Sequence, residues 1–307
     1  MATSLTSTYA GEFAGKYISA ALLSASTLEN GLITVMPNVK YKAVLQTASY
    51  DDIVQNAACD YSTSGTLTLA EKIIQPEEFM VNMTICKKDL TASWEAEQMG
   101  FSAFDNLAPS FEDFVIGYTA AKVAAQIEAT IWSGQTATAG EFDGFYYLAT
   151  AGGSGCVAVS GTTVDASNVI AEMGKVVDAI PQAVYGKEDV FIYVAPNVAR
   201  AYIRQLGGFG ASGLGANGIN NQGTTWFTNG ALSFDGIPVV VAQGLPNHSM
   251  MAAQKSNMFF GTGLLNDTNE VKVLDMSDLD GSQNVRIIMR YTAAVAMGIN
   301  SDVVIYA

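Results

Sequence analysis

The sequence has little charge for its length, and this shortage bears on how its surface is covered. Only 14% of the 307 residues are Asp, Glu, Lys or Arg, against about 25% in ordinary globular proteins. A monomer keeps its surface solvated mainly with those side chains. The deficit indicates that much of the surface is buried against other copies, since charge is depleted at interface cores. Composition leaves open a second interpretation, a protein of low charge without such interfaces.

Basic residues are the scarcer charged class, with 15 Lys and Arg against 29 Asp and Glu and a net charge of −14. Proteins that grip nucleic-acid phosphates or anionic membranes concentrate Lys and Arg, so both classes are disfavoured. No segment reaches about 18 uninterrupted apolar residues, and the N-terminus lacks the basic start and apolar run of a signal peptide. We therefore expect no membrane partner and a soluble cytoplasmic product.

Cysteine and histidine are too few to build most metal or catalytic sites. Cys59, Cys86 and Cys156 are odd in number and form no C-x-x-C pair. We expect them to be small buried hydrophobic side chains rather than a disulfide framework or a zinc site. His248 is the single histidine, in a Pro-Asn-His-Ser turn, and we interpret it as a surface loop residue. The stretch "GGSGC" ends in Cys156 where a serine-hydrolase elbow needs glycine.

The acidic residues do not assemble a site either. "DMSDLDGSQNVR" suggests a calcium loop through Asp278, Asp280 and Gly281, but Met276 and Ile287 would occupy two of its ligand positions. We interpret it as a turn. Adjacent acids point to opposite faces of a strand and form no carboxylate dyad, which applies to Asp51 with Asp52 and to Glu77 with Glu78. No catalytic residue, cofactor-binding residue or metal ligand is predicted.

The stretch "GGFGASGLGANGINNQG", residues 207–223, spells the dinucleotide-binding pattern G-x-G-x-x-G twice. The pattern binds a pyrophosphate only where it follows a strand and opens a helix. Here it follows a predicted helix and opens none. The acidic residue expected about 20 residues further on is absent apart from Asp235, which lies in a turn. We therefore expect no cofactor, and a loop that either exploits the permissive backbone of glycine or lacks fixed structure.

The first ninety residues look extended. Residues 1–45 resemble an arm, in which Leu32, Val35 and Val39 have no apolar partner nearby in sequence. The segment "GTLTLAEKIIQPEEFMVNMTICKKDL" predicts two strands broken at Pro76. Such a two-stranded excursion cannot bury both of its faces by itself. It is therefore expected to lie on something else.

The clearest helix is predicted over residues 110–133. Ser110 is a suitable N-cap, Asp113 is placed as in a capping box, and Gly134 is placed as the C′ residue. Because most of the other positions are apolar or alanine, we expect the helix to be covered on several sides. A narrow polar stripe runs along it, formed by Thr119, Lys122, Gln126 and Thr130.

Beyond this helix the pattern becomes mixed and then β-rich. Two helices, "DASNVIAEMGKVVDAIP" and "PNVARAYIRQL", flank the buried strand "DVFIYVA". Their predicted inner faces are Val169, Met173, Val176 and Ile180 in the first, and Val198, Tyr202 and Leu206 in the second. After the glycines, strands are predicted in "GIPVVVAQGL", "MMAAQK", "NMFFGT", "EVKVLDM", "NVRIIMRYTAAVAMGI" and "DVVIYA", with a hairpin turn at Asp280-Gly281.

This order of elements resembles the major capsid protein of tailed double-stranded DNA bacteriophages, whose HK-ninety-seven-like fold is shared with encapsulin shells. "TSTYAGEFAGKYISAALLSASTLENGLITVMPNVKYKAV" looks like their N-terminal arm, and "GTLTLAEKIIQPEEFMVNMTICKKDLTASWE" is similar to their E-loop and its return. "FDGIPVVVAQGLP" and "MFFGTGLLND" look like the A-domain strands that lead back to the P-domain. The resemblance implies an α+β fold with an arm, an extended β E-loop, a P-domain with a long spine helix, and an α/β insertion, the A-domain.

The resemblance also implies domain boundaries and a place for the glycines. It matches residues 207–223 to the axial loop near the five-fold and quasi-six-fold axes. The implied domains begin with an N-terminal arm (1–45), an E-loop (46–92) and a first part of the P-domain (93–155) that contains the spine helix (110–133). They continue with an A-domain (156–261), closing P-domain strands (262–298) and a C-terminal strand that returns to the A-domain (299–307).

The implied function is structural and non-enzymatic: a virion capsid subunit that self-assembles as pentamers and hexamers into an icosahedral shell in the host cytoplasm. The shell would enclose double-stranded DNA without sequence-specific binding. The arm and E-loop would bury their apolar faces on neighbouring subunits. Further implied partners are a portal, a decoration protein and a scaffold, which we expect to be a separate protein because no long scaffolding segment precedes the arm.

A covalent cross-link is not predicted. Some members of this family join an E-loop Lys to a P-domain Asn with the help of a Glu. Lys72 and Asn284 lie in suitable regions, but "VRIIMRYTAAVAMGI" contains no Glu.

Other functions stay open at this point. An encapsulin-like nanocompartment shell would use the same fold to enclose an enzyme. From a different class, a nicotinamide- or flavin-binding α/β enzyme would use the glycine loop. A tail-tube or other virion β-protein would not need the spine helix.

Overall fold

The computed structural model describes residues 26–51, 53–57, 59–60, 63–86, 109–206, 232–263 and 272–307. Residues 1–25 of the predicted arm, Asp52 and the glycine stretch 207–223 lie outside the described residues. The described helices are α1 (Ser26–Glu29), α2 (Pro109–Ser133), α3 (Phe145–Thr150), α4 (Val169–Asp178), α5 (Pro196–Leu206) and α6 (Ser277–Asp280).

The strands of this part of the chain belong to two sheets and a two-stranded ribbon. The predicted strands after the glycine stretch are confirmed as β8 to β13. In chain order the strands are β1 (Thr34–Pro37), β2 (Ala43–Tyr50), β3 (Leu67–Ile74), β4 (Glu77–Cys86), β5 (Val157–Val159), β6 (Val190–Val194), β7 (Leu232–Phe234), β8 (Ile237–Val241), β9 (Met250–Gln254), β10 (Met258–Thr262), β11 (Lys272–Asp275), β12 (Asn284–Met297) and β13 (Val304–Tyr306).

The first sheet is organised around β12. Along one edge β12 pairs antiparallel with β4, from Asn284 opposite Cys86 to Ala293 opposite Glu77. Along its other edge it pairs with β11 and then β10, and β1 joins β10 in parallel. The alternation of apolar and polar residues in β12 places one set of side chains in the core and the other set, including Arg286, outside.

The second sheet has the strand order β5-β13-β9-β6-β8-β7. Every residue of β9 and β13 is buried, and α4 packs against both strands. The predicted inner face of α4 is confirmed, because its apolar residues are buried. In α5, Val198 and Tyr202 are buried as predicted, whereas Leu206 is exposed. One hydrophobic core extends through both sheets and α2 without interruption.

The long helix α2 confirms the predicted helix within one residue, although its polar stripe is only half correct. Lys122 and Gln126 are exposed, whereas Thr119 and Thr130 are buried. Gly134 follows the helix as predicted, but its φ is not positive. A Cβ at this position would lie 2.4 Å from the carbonyl oxygen of Phe142, so close backbone approach is what requires glycine here.

The break predicted at Pro76 is confirmed, since β3 ends at Ile74 and β4 begins at Glu77. The two strands do not form one excursion, however. β4 belongs to the sheet of β12, and β3 pairs antiparallel with β2 to form a separate ribbon. Local pattern shows that both segments are strands, but the partner of each is decided by residues far away in sequence.

The described part of the predicted arm packs on its own chain. Leu32 and Val39 are buried against the body, whereas Val35 is partly exposed. The buried hydroxyl of Tyr193 also donates a hydrogen bond of 2.7 Å to the carbonyl of Leu32. The expectation that these residues need a neighbouring subunit is therefore wrong for Leu32 and Val39, because their partners lie in the same chain, and it stays a prediction for Val35.

Candidate assembly interface

The ribbon of β2 and β3 has two different faces, because side chains alternate along each strand. We call them the outer face and the inner face. The described outer face carries Val44, Gln46, Ala48, Leu67, Leu69, Glu71 and Ile73, and the inner face carries Ala43, Leu45, Thr47, Ser49, Thr68, Ala70, Lys72 and Ile74.

The aliphatic side chains of the outer face are not covered by the described chain. Leu69 is 70% exposed, Ile73 57% and Val44 50%, and Leu67 is exposed as well. Full burial of one such side chain is worth about 1.5–3 kcal/mol. The polar pair Gln46 and Glu71 separates Leu69 from Val44 and Ile73, so the face carries two exposed apolar patches. Exposed apolar patches of this kind typically mark an interaction site.

The inner face holds the ribbon to the body only at its base. Ile74 is almost completely buried in a small cluster with Val39, Ala294 and Ala296. Gly261 on β10 makes room for this contact, because a Cβ there would lie 2.9 Å from Cδ1 of Ile74. The remainder of the ribbon extends away from this apolar anchor.

A polar contact supplements the apolar anchor. The Lys72 ammonium donates a hydrogen bond to Oδ1 of Asn300, and Nδ2 of Asn300 donates to the carbonyl of Ser154. The ribbon is thus tied to two loops of the body. Asn284 lies opposite Cys86 at the far end of β12, so the structure does not bring Lys72 and Asn284 together. That no cross-link forms stays a prediction.

Burial perturbs the two titratable groups at this contact. It lowers the pKa of Lys72, an effect that the neighbouring Cys156 opposes. It raises the pKa of the Cys156 thiol, against the hydrogen bond with Ser154 and the charge of Lys72. Both shifts favour the neutral form, as expected where desolvation dominates.

A buried carboxylate anchors the start of the described chain. Glu128 on α2 accepts hydrogen bonds from Ser26 and Thr27 at the beginning of α1. Trp132, one turn further along α2, donates to the Thr27 hydroxyl. The composition of residues 1–45 did not predict this anchor, since its acceptor lies about a hundred residues away.

His248 is more firmly held than a surface loop residue. It lies in a turn as predicted, with a φ of 66°, but it is half-buried. Its Nδ1 accepts the backbone N–H of Val164 at 3.1 Å and contacts Nδ2 of Asn197 at 3.0 Å. The ring therefore joins its own turn to the loop of Val164 and to the first turn of α5 at Asn197, and this structural role explains its position.

The acidic pair Glu77 and Glu78 and the supposed calcium loop lie in different elements of the described chain. Glu77 and Glu78 are successive residues of β4 and point to opposite faces, as predicted. The segment around Asp280 forms the short helix α6, followed by Gly281 in the left-handed region, and it connects β11 to β12. Among the described residues, no group of three or more His, Cys, Asp or Glu side chains is placed to hold a metal ion.

The cysteines are less buried than predicted. Cys59 is exposed, Cys86 and Cys156 are half-buried, and all three are free thiols. The prediction of buried hydrophobic side chains is wrong for Cys59, because it lies beyond the paired strands of the ribbon. Within the described ranges, no helix has both the length and the apolar character needed to cross a membrane.

Comparison with solved structures identifies the fold. The capsid of the native GTA particle matches 94% of this chain and 89% of its own, with 14% identity and a TM-score of 0.63. The procapsid of satellite phage P4, solved with its size determination (Sid) protein, aligns with 95% of this chain over 97% of its own chain, with 9% identity and a TM-score of 0.57. A virus-like particle from Pyrococcus furiosus aligns with 97% of this chain over 100% of its own chain, with 6% identity and a TM-score of 0.54.

These similarities extend over most of each chain. The protein therefore has the α+β, HK-ninety-seven-like capsid fold, and the predicted fold class is confirmed. No protein-family model and no curated protein matches the sequence.

Proposed function

We propose that this chain is a major capsid protein, a structural subunit without enzymatic activity that self-assembles as pentamers and hexamers into an icosahedral shell around double-stranded DNA. The observation that carries the proposal is the outer face of the ribbon. Its aliphatic side chains are exposed, whereas the buried apolar residues of the described chain form one large core and the small cluster at the base of the ribbon. Neighbouring copies in a shell would cover this face.

The dimensions of the ribbon suit this role. Each strand has eight residues, which corresponds to about 26 Å at 3.3 Å per residue. That length carries the outer face well beyond its anchor at Ile74. Burial on a neighbour would stabilise both the ribbon and the assembly, so that the stability of the subunit depends on its concentration.

The parts of the fold take the roles that the resemblance implies. The ribbon corresponds to the E-loop, α2 to the spine helix, the sheet of β12 to the P-domain, and the six-stranded sheet to the A-domain. A portal, a separate scaffolding protein and decoration proteins complete the set of partners, and assembly takes place in the host cytoplasm. The net charge of −14 supports a shell that holds DNA without gripping it.

The test compares the purified chain with variants of one strand by negative-stain electron microscopy and light-scattering mass. Leu69→Lys with Ile73→Lys places two charges on the outer face, and Thr68→Lys with Ala70→Lys places the same two charges on the inner face, away from the anchor. We expect closed shells, or rings of five and six, for the wild type and the inner-face control only. Normal assembly of the outer-face variant would show that this face is not an interface.

Three further outcomes bear on the alternatives. Particles that enclose a protein cargo instead of nucleic acid would favour an encapsulin-like compartment. A folded monomer whose ribbon resists protease would contradict the proposal, because the ribbon would then need no neighbour. Binding of a nicotinamide or flavin cofactor by that monomer would favour the enzyme alternative.

A further inference from the structure

The six-stranded sheet has a free edge at β5, which pairs with β13 on one side only. The main-chain groups of Val157, Val159 and Gly161 bond to the residues that flank β13. Successive residues of a strand direct their N–H groups to opposite sides, so those of Ala158 and Ser160 point away from β13. No acceptor for these two N–H groups lies among the described residues. The edge therefore offers two donors to an added strand.

This edge lacks the protection that free edges usually carry. Natural sheets guard them with Lys, Pro or a bulge, whereas β5 has the sequence Val-Ala-Val and pairs with β13 in unbroken register. Residues 144–164 contain no Asp, Glu, Lys or Arg, and Ala158 and Ser160 are exposed. An unprotected edge of this kind indicates a strand that another chain covers.

A depression of about 440 Å³ lies beside the free edge. The end of α3 lines it with Ala149 and Thr150, and the sheet lines it with Cys156, Ala158 and Ile305. No side chain of its lining is charged. Ala158 and Ile305 are paired in register, so their side chains share the face of the sheet that the depression occupies. Alternate side chains of an added strand would enter the depression, and aliphatic ones suit its lining.

One end of the depression suits a carboxylate. Residues 152–155, with the sequence Gly-Gly-Ser-Gly, lead directly into β5. The three glycine N–H groups of this loop have no acceptor among the described residues. The Lys72 ammonium is held at the same loop, because it donates to Asn300, whose amide donates to the carbonyl of Ser154. Free backbone N–H groups beside an ammonium are donors that capture carboxylates.

We propose that β5 and its depression bind the C-terminal tail of a partner protein, which adds to the sheet as an antiparallel strand. The carboxylate of the tail lies at residues 152–155, and this sets the direction of the tail because the loop precedes β5. Ala158 and Ser160 donate to main-chain carbonyls of the tail. Its last residue and the residue two before it are aliphatic and occupy the depression. The inference goes beyond the proposed shell and does not depend on it.

A second copy of this chain fits the edge less well than a partner tail does. Every residue of the C-terminal strand β13 is buried in its own sheet, so a second copy cannot supply that strand as the tail. The β5 edge of a second copy could pair with this one, but it would bring no carboxylate to the glycine loop and to Lys72. A partner tail satisfies the edge donors and the loop together.

The test measures the binding of labelled hexapeptides to the full-length chain by fluorescence polarisation. The peptides have the sequence Gly-Ser-Thr-Val-Thr followed by Val, Leu or Phe, each prepared as the free acid and as the C-terminal amide. We expect at least one free acid to bind with a Kd of about 1–100 μM and its amide to bind at least about tenfold more weakly. Failure of all three free acids to bind, or equal binding of acids and amides, would overturn the inference.

A matched pair of variants tests the edge donors. Ser160→Pro removes one outward N–H, and proline is tolerated on an edge strand where the N–H faces solvent. Ser160→Ala keeps this N–H. We expect peptide binding at least about tenfold weaker for Ser160→Pro only, and equal binding by the two variants would overturn the inference. Lys72→Met should reduce the preference for acid over amide without changing the binding of the amide.

Hydrogen exchange of the wild type locates the contact without any substitution, and so serves even if Ser160→Pro fails to fold. The bound peptide should slow exchange at Ala158 and Ser160, and binding without this protection would overturn the inference. Protection that rises with protein concentration in the absence of peptide would show that a second copy covers the edge, which would overturn it too.

The inference and the proposed function can fail separately. Tail binding by a chain that forms no shell would sustain the inference and contradict the function. Closed shells built from subunits that bind none of the free acids would sustain the function and overturn the inference.

Discussion

Glu128 accepts a hydrogen bond of 2.5 Å from the hydroxyl of Thr27, across an interval of 101 residues. Its second oxygen accepts the backbone N–H of Thr27 at 3.1 Å, and Nε1 of Trp132 donates to the same hydroxyl at 2.9 Å. All three side chains are buried. The contact ties α1 to the long helix and fixes where the preceding residues reach the body.

Removal of the Glu128 carboxylate should destabilise the subunit. Glu128→Ala leaves the buried Thr27 N–H without an acceptor, and we expect the free energy of unfolding to fall by about 1–3 kcal/mol. Glu128→Gln keeps an oxygen that can accept this N–H, so its free energy of unfolding should fall by less. Urea unfolding of both variants measures the difference, and equal losses would show that the acceptor is not what matters.

Gly244 should tolerate no side chain. A Cβ there would lie 2.5 Å from the carbonyl oxygen of Glu128 and 2.9 Å from Cα of Ala129, so Gly244→Ala should cost about 1–3 kcal/mol through overpacking. Gly174 in α4 is the matched control, because nothing lies within 4 Å of its added Cβ. Gly174→Ala should stabilise by about 0.4–1 kcal/mol. Thermal unfolding of the two variants should therefore shift in opposite directions.

The contact at the base of the ribbon should make stability depend on pH in the alkaline range. Burial lowers the pKa of Lys72 from 10.5, so just below pH 10.5 the unfolded chain binds more protons there and Lys72 makes stability rise with pH. Burial raises the pKa of Cys156 from 9.0. Above pH 9.0 the folded chain therefore keeps a proton that the unfolded chain loses, and Cys156 makes stability fall.

Single substitutions separate these opposing contributions. In unfolding experiments between pH 9.0 and 10.5, Cys156→Ala should leave a steeper rise of stability with pH than the wild type has. Lys72→Met should leave a steeper fall. The double variant serves as the control and should lose both slopes at this site; the same slope in all four proteins would contradict the assignment.

His248 should be replaceable by asparagine but not by alanine. Alanine loses the acceptor for the Val164 N–H and strains at a φ of 66°, so we expect a loss of about 1–3 kcal/mol. Asparagine tolerates this conformation and offers an oxygen near the position of Nδ1. Chemical unfolding of both variants provides the measurement. An asparagine variant as unstable as the alanine variant would mean that the ring packs rather than accepts.

Local pattern predicted the elements of this fold well where one face of an element is buried. The alternation in "NVRIIMRYTAAVAM" predicted β12, and capping residues predicted α2 within one position. The rule that a two-stranded excursion cannot bury both faces predicted an uncovered face for β3, although the strand that pairs with β3 is β2 rather than β4.

Contacts between distant segments could not be predicted in this way. Nothing local in β3 indicates that it pairs with β2 rather than β4, and the contact of Lys72 with Asn300 spans 228 residues. Leu32 seemed to lack a partner because its partners lie in the second sheet.

The pairing of β1 with β10 has a consequence for how the chain reaches its native state. Thr34 bonds to the carbonyl of Lys255, 221 residues further along, so the first sheet closes only after most of the chain has collapsed around it. Folds dominated by such distant pairings form slowly. During that interval the β2–β3 hairpin, which needs only its own turn, can present aliphatic side chains to other unfinished molecules. Yield on expression should therefore depend on chaperone capacity and temperature more than on the stability of the finished subunit.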